Sequence, residues 1–143
     1  MRDGFVRVAS ATPAIRVSDC RHNASAILTI AREAAKAGVS VVVTPELCLT
    51  GYTCGDLFLQ QALLDSAREE LLRIAQETAA LDIILLVGLP VAVKERLCNC
   101  AAVLCHGRIL GIVPKTHIPN YAEFYEKRHF SPGNGTSDLT IGG

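Results

Sequence analysis

With 143 residues, half of them apolar and a fifth charged, the chain is long enough for one domain with its own core and too apolar for a disordered tail. Its 14 basic and 14 acidic residues cancel, and no basic stripe offers a surface to nucleic acid or an anionic membrane. No apolar run reaches bilayer-spanning length, and the start, with charges at Arg2, Asp3 and Arg7, lacks the apolar centre of a signal peptide, so a cytoplasmic location is expected.

Residues 4–11, GFVRVASA, alternate as a strand does, with Phe5 and Val6 opening an apolar stretch. Ser18 or Asp19 then offers an N-cap for a helix reaching about Ala37, with Ile27, Ile30, Ala31, Ala34 and Ala35 on one face. Gly38 stands where such a helix would end. VSVVV, 39–43, is short and β-branched, the pattern of a fully buried strand. After a loop at 44–56, a second helix is expected over roughly 60–80, with a stripe of Leu64, Ala67, Leu71, Ile74, Ala75 and Thr78. IILLVG, 83–88, reads as another buried strand, stopped by Gly88 and Pro90. Two strands, 97–105 and 108–113, follow around a turn at His106–Gly107. The tail from Thr116 is polar and aromatic, and SPGNGTSD near its end is loop-like.

This order predicts an α/β fold in one domain, helices layered on a mixed sheet. Sheets of that kind carry functional groups beyond the carboxyl ends of their strands. Glu46 and Lys115 each follow an apolar strand and so belong to such an edge.

The six cysteines, at 20, 48, 54, 98, 100 and 105, form no C-x-x-C pair. In a reducing compartment they read as small buried apolar residues rather than as a disulfide framework or a metal site. CNC at 98–100 places Cys98 and Cys100 on one strand face, and only His106 adds a ligand type nearby, so no metal is expected.

Taken singly, the polar candidates read plainly. Glu46 is a solvated turn residue or a cap, Lys115 its counterpart after a later strand, and His117 a hydrogen-bonded loop histidine. NYAEFYEKRHF, 120–130, reads as an amphipathic helical turn packing Tyr121, Phe124 and Tyr125.

Together they read differently. TPELCLTGY at 44–52 and GIVPKTHIPNYAEFYEKRHFSPG at 111–133 resemble the nitrilase, or carbon–nitrogen hydrolase, superfamily. Within it, PELCLTGYTCGDLF and PKTHIPNYAEFYEKRHF are similar to the N-terminal glutaminase domains of bacterial glutamine-dependent NAD synthetases. RVASATPAIRVSDCRHN and CNCAAVLCHGRILGIVPK fit the same domains, so the resemblance runs to about Gly133. It implies a nitrilase-like α-β-β-α sandwich. It further implies Glu46 as general base, Lys115 as the cation that stabilises a tetrahedral oxyanion, and Glu126 as a second glutamate that positions the site. Tyr121 matches a residue lining the glutamine pocket, and Tyr52 a hydroxyl near the catalytic glutamate, on the substrate-binding side.

The family's nucleophilic cysteine follows the lysine motif, and no cysteine follows Lys115 in this chain. Cys48 and Cys54 occupy variable places in and after the glutamate motif and are not taken as nucleophiles. The family domain is also longer, so residues 1–143 are expected to be its first half, truncated and inactive alone. The apolar face meant for a second sheet would then be open, and self-association into a homo-oligomer is expected. For the whole protein the resemblance implies hydrolysis of glutamine, with ammonia passed to a C-terminal synthetase domain for ATP-dependent amidation of deamido-NAD. ATP and Mg belong to that domain, and the glutaminase part needs no cofactor. The alternatives are a stand-alone amidase or carbamoylase of the same superfamily, and a non-catalytic assembly module.

Overall fold

A computed structural model describes residues 4–133. Five strands form one sheet in the order β1 (Val8–Ser10), β2 (Val41–Val43), β3 (Ile84–Val93), β4 (Arg96–Cys105), β5 (Arg108–Pro114). β1, β2 and β3 run parallel, and β4 and β5 return antiparallel, so the sheet is mixed as expected. Two helices, α1 (Cys20–Lys36) and α2 (Gln61–Glu77), supply the crossovers between the parallel strands. Among the described residues no helix is long and apolar enough to cross a membrane.

Local chemistry marks both ends of α1. The Asp19 side chain accepts from the His22 N–H at 3.0 Å and caps α1, and Gly38 follows its end at φ +72°, a region that glycine enters without a Cβ penalty. The buried stripe of α1 is Cys20, Ala24, Ile27, Leu28, Ala31 and Ala34, so Ile30 stands at its edge. In α2 the stripe is Leu63, Ala67, Leu71, Ile74 and Ala75, with Leu64 only half-buried. These stripes meet Val42, Leu85, Val87, Leu89, Ala102 and Leu104 on one sheet face, which is the core. Among the described residues no helix covers the opposite face, and Val8, Val43, Ile84 and Val113 stand exposed there.

One buried polar side chain ties the connections together. Asn23, fully inaccessible, accepts from the Arg16 N–H at 2.7 Å and donates to the carbonyls of Arg16 and Leu49 at 2.8 and 3.0 Å. Its three bonds join the segment before α1 to the loop after β2. Asn23→Ala leaves these backbone groups unpaired, and a loss of about 2–3 kcal/mol is expected. Chemical denaturation checks this, as a shifted midpoint with an unchanged slope.

The third strand departs from the expectation that Gly88 and Pro90 stop it. β3 continues through both to Val93 and pairs in unbroken register with β4, from Ile84 opposite Cys105 to Val93 opposite Arg96. Leu86 and Gly88 offer their carbonyls to Thr44 and Leu49 on the edge away from β4. Pro90 shares that edge by alternation, where β2 has already ended, so its missing N–H removes no ladder bond. Gly88 serves a close approach: a Cβ there would lie 2.5 Å from the Pro45 carbonyl oxygen and 2.6 Å from the Leu47 nitrogen. The loop that carries Glu46 rests directly on this glycine.

Candidate active site

The loop after β2 is bent sharply where it carries Glu46. Leu47, the next residue, adopts φ +50° while wholly buried, a costly geometry for leucine that hydrogen bonds to its carbonyl from Thr50 and Gly51 help to hold. Burial of Leu47, Cys48 and Leu49 anchors this turn in the core, and the Glu46 side chain is left outside.

Alternation along β4 does the complementary work. Cys98 and Cys100 share the helix-covered face with Ala102 and Leu104, so Asn99 points to the other face. Lys115 follows β5, and its N–H donates to the Asn99 carbonyl at 2.8 Å, which extends the pairing by one residue and sets both side chains on that face. Glu126 comes from a short 3₁₀ turn, Glu126–Arg128. A second such turn, Gly55–Leu59, lies against it. Arg128 grips Asp56 through Nε and Nη2 at 2.9 and 3.0 Å, His129 Nε2 lies 3.0 Å from the same carboxylate, and Phe58 and Phe130 meet edge-on at 5.0 Å. Arg128 and His129 hold the Asp56 carboxyl below its usual range.

Glu46, Lys115 and Glu126 therefore converge, although 80 residues separate the first from the last. Lys115 Nζ lies 2.6 Å from Glu46 Oε1 and 3.0 and 3.1 Å from the two oxygens of Glu126. Asn99 Nδ2 donates to Glu46 Oε1 and, at 3.4 Å, to Glu126 Oε2. The Tyr52 hydroxyl donates to Glu126 Oε1 at 2.8 Å, so its partner is Glu126 rather than Glu46. Glu126 is 6% exposed, and each of its carboxylate oxygens accepts a hydrogen bond, so its burial leaves no polar atom unpaired. The Glu46 side chain is 41% exposed.

The charges follow from these contacts. Partial burial works against the Lys115 ammonium, but two carboxylates outweigh it and hold its pKa above the ordinary lysine value. It stays a cation through the neutral range. The stability it lends is present below its ordinary value and is lost only as pH climbs through the raised one. Burial, then the bond to Glu126 and the nearby carboxylates, push Tyr52 up to about 12, so it remains a donor.

Cys48 and Cys54 do not join this group. Both are buried, burial pushes both thiols up, and the Cys54 thiol donates to the Thr50 carbonyl at 3.2 Å. Cys100 is raised to about 12 by burial and by Cys98. A thiol with a raised pKa is a poor source of thiolate. Tyr121 is exposed and packs edge-on against Phe124 at 5.6 Å, and it makes no hydrogen bond to the cluster. The 120–130 segment is thus not a turn that buries its tyrosines: Tyr121 and Tyr125 stand exposed, and Phe130 enters the core.

Sequence reading missed Asn99. A signal was present: it is the single polar residue inside the apolar run LCNCAAVLC.

The chain is similar to several known proteins. The glutamine-dependent NAD(+) synthetase of Mycobacterium tuberculosis is 42% identical over 141 residues, which is 98% of this chain and 21% of that protein. The crystal structure of a glutamine-dependent NAD(+) synthetase from Cytophaga hutchinsonii superposes with a TM-score of 0.86 at 31% identity, covering 94% of this chain and 23% of that one. An amidase from Nesterenkonia sp. superposes at 0.78 with 28% identity, covering 94% and 51%. A glutamate variant of that amidase carries an acetamide adduct on its active-site cysteine. The chain spans about a fifth of the length of the NAD synthetases it matches. The carbon-nitrogen hydrolase family model matches residues 7–143, nearly all of the sequence, and the chain belongs to that family.

Proposed function

We propose that residues 1–143 are the first part of a glutaminase domain, in a protein that feeds ammonia from glutamine into NAD synthesis. The observation that carries this reading is the meeting of Glu46, Lys115 and Glu126 around one ammonium, on a chain 42% identical to a glutamine-dependent NAD synthetase. Glu46 takes the proton of a cysteine thiol supplied from beyond Gly143, and the thiolate attacks the side-chain amide carbon of glutamine. The carbonyl oxygen becomes an oxyanion, stabilised by the Lys115 ammonium, which Glu126 holds in place. Collapse breaks the C–N bond, Glu46 returns the proton to the leaving nitrogen, and ammonia departs from a γ-glutamyl thioester. Water, activated by the same carboxylate, then releases glutamate. Tyr121 and Tyr52 are assigned to the glutamine side of the site.

A C-terminal synthetase domain would use the ammonia, with ATP and Mg, to amidate deamido-NAD. Similarity to the Nesterenkonia amidase supports a second reading, a stand-alone amidase with the same three groups. Ammonia release from glutamine, measured on residues 1–143 and on a version extended by about one further domain, tests the proposal. The short chain should be silent and the extended one active. Activity in the short chain, or silence in an extended chain that contains a cysteine, would overturn it.

A further inference from the structure

The structure assigns a positioning role to Asn99: with Lys115 it pins Glu46 by Oε1, so that Oε2 is the oxygen that carries the proton during amide hydrolysis. This rests on the proposed hydrolytic reading of the site. Both donors that reach Glu46, the Lys115 ammonium and the Asn99 amide, converge on Oε1. Among the described residues no donor reaches Oε2, and the side chain as a whole is 41% exposed. A carboxylate doing proton transfer needs one oxygen held and the other free, because an oxygen already accepting two charge-assisted or short bonds is a poor base.

Asn99 suits the holding role in three ways. It is 3% exposed, so its amide is fixed by packing. It faces two carboxylates, to which only the nitrogen end of its amide can donate, so the orientation of that amide is dictated by chemistry. Its carbonyl also receives the Lys115 N–H, so one residue fixes both the general base and the backbone of the cation. Glu126 receives Asn99, Lys115 and Tyr52 and has no oxygen to spare, which separates its role from that of Glu46. In the reaction, Glu46 Oε2 accepts the proton of the nucleophilic thiol as the S–C bond forms. It gives that proton to the amide nitrogen as the C–N bond breaks, so no proton is gained or lost.

Asn99→Asp keeps the shape and replaces the donor by an acceptor, and Asn99→Ser keeps a shorter donor. In the full-length protein, Asn99→Asp should lower kcat for glutamine hydrolysis by about 10- to 100-fold, the usual cost of losing a group that orients a reacting one. KM should stay within about threefold, and Asn99→Ser should fall between wild type and Asn99→Asp. A role in folding alone would lower the melting temperature and leave kcat of the folded fraction unchanged, and that result overturns the inference. Crystal structures of Asn99→Asp and Asn99→Ser decide the point without activity: Glu46 Oε1 should leave hydrogen-bonding distance of Lys115 Nζ in Asn99→Asp and keep it in Asn99→Ser. A Glu46 that stays unmoved in Asn99→Asp overturns the assignment whatever the rates. Wild-type rates in Glu46→Gln and Lys115→Met would instead overturn the hydrolytic reading of the site, and the crystal structures would still decide where Asn99 holds Glu46.

Discussion

Lys115→Met is expected to lower kcat/KM for glutamine hydrolysis by about 10²- to 10³-fold or more, the scale of losing a preorganised oxyanion partner. Methionine keeps much of the stem and removes the charge, so packing changes little and electrostatics change completely. The folded state suffers as well, because Glu126 is 6% exposed and keeps only Tyr52 and a long bond from Asn99. Removing one partner of a fully buried pair costs about 3–5 kcal/mol; with the Lys115 side chain 30% exposed, about 2–3 kcal/mol is expected. Lys115→Arg should not restore the rate, since a planar guanidinium cannot replace a compact ammonium set between three carboxylate oxygens. Steady-state rates and thermal denaturation of both variants check this. A Lys115→Met protein at wild-type rate would contradict the role.

Gly88→Ala should be the most damaging small substitution in the sheet. A methyl group at that position lies 2.5 Å from the Pro45 oxygen, 2.6 Å from the Leu47 nitrogen and 3.0 Å from the Glu46 carbonyl carbon. These are backbone atoms and cannot rotate away. The turn is also anchored by buried Leu47, Cys48 and Leu49 and by the Leu49 N–H bond to the Gly88 carbonyl at 3.0 Å, so it cannot lift without breaking the core. Overpacking of this kind costs about 3 kcal/mol, a fall of roughly 10 °C in melting temperature for a domain of this size. Hydrolysis by the folded fraction should drop as well, because lifting the turn moves Glu46 off Lys115. Gly111→Ala is the control: it lies in β5 with nothing within 4 Å of the added carbon, and near-wild-type behaviour is expected.

How far the sequence could be read depended on whether the signal was local. Asp19 and Gly38 mark the ends of α1 through their own side-chain and backbone chemistry, and both act as expected. The alternation of Cys98 and Cys100 was equally legible. Gly88 and Pro90 misled because they normally break strands. Here their meaning depends on which edge of β3 is paired and on a loop that crosses it, neither of which is local. Glu46, Lys115 and Glu126 became candidates only through two long motifs considered together, since each alone reads as a surface charge. The bond of Tyr52 to Glu126, and the bridging of two carboxylates by Asn99, join residues far apart in sequence that meet only in the folded chain. No periodicity in one sequence encodes such pairs.

The proposed reaction needs Glu46 as the proton carrier of an amide hydrolase. The most direct test is ammonia release from glutamine by the full-length protein and by its Glu46→Gln variant, which keeps the side-chain shape and removes the base. Release of ammonia with equimolar glutamate by the wild type, and a fall of roughly 10²- to 10⁴-fold in the variant, is the predicted result. No release by the wild type, or equal release by both proteins, would contradict it.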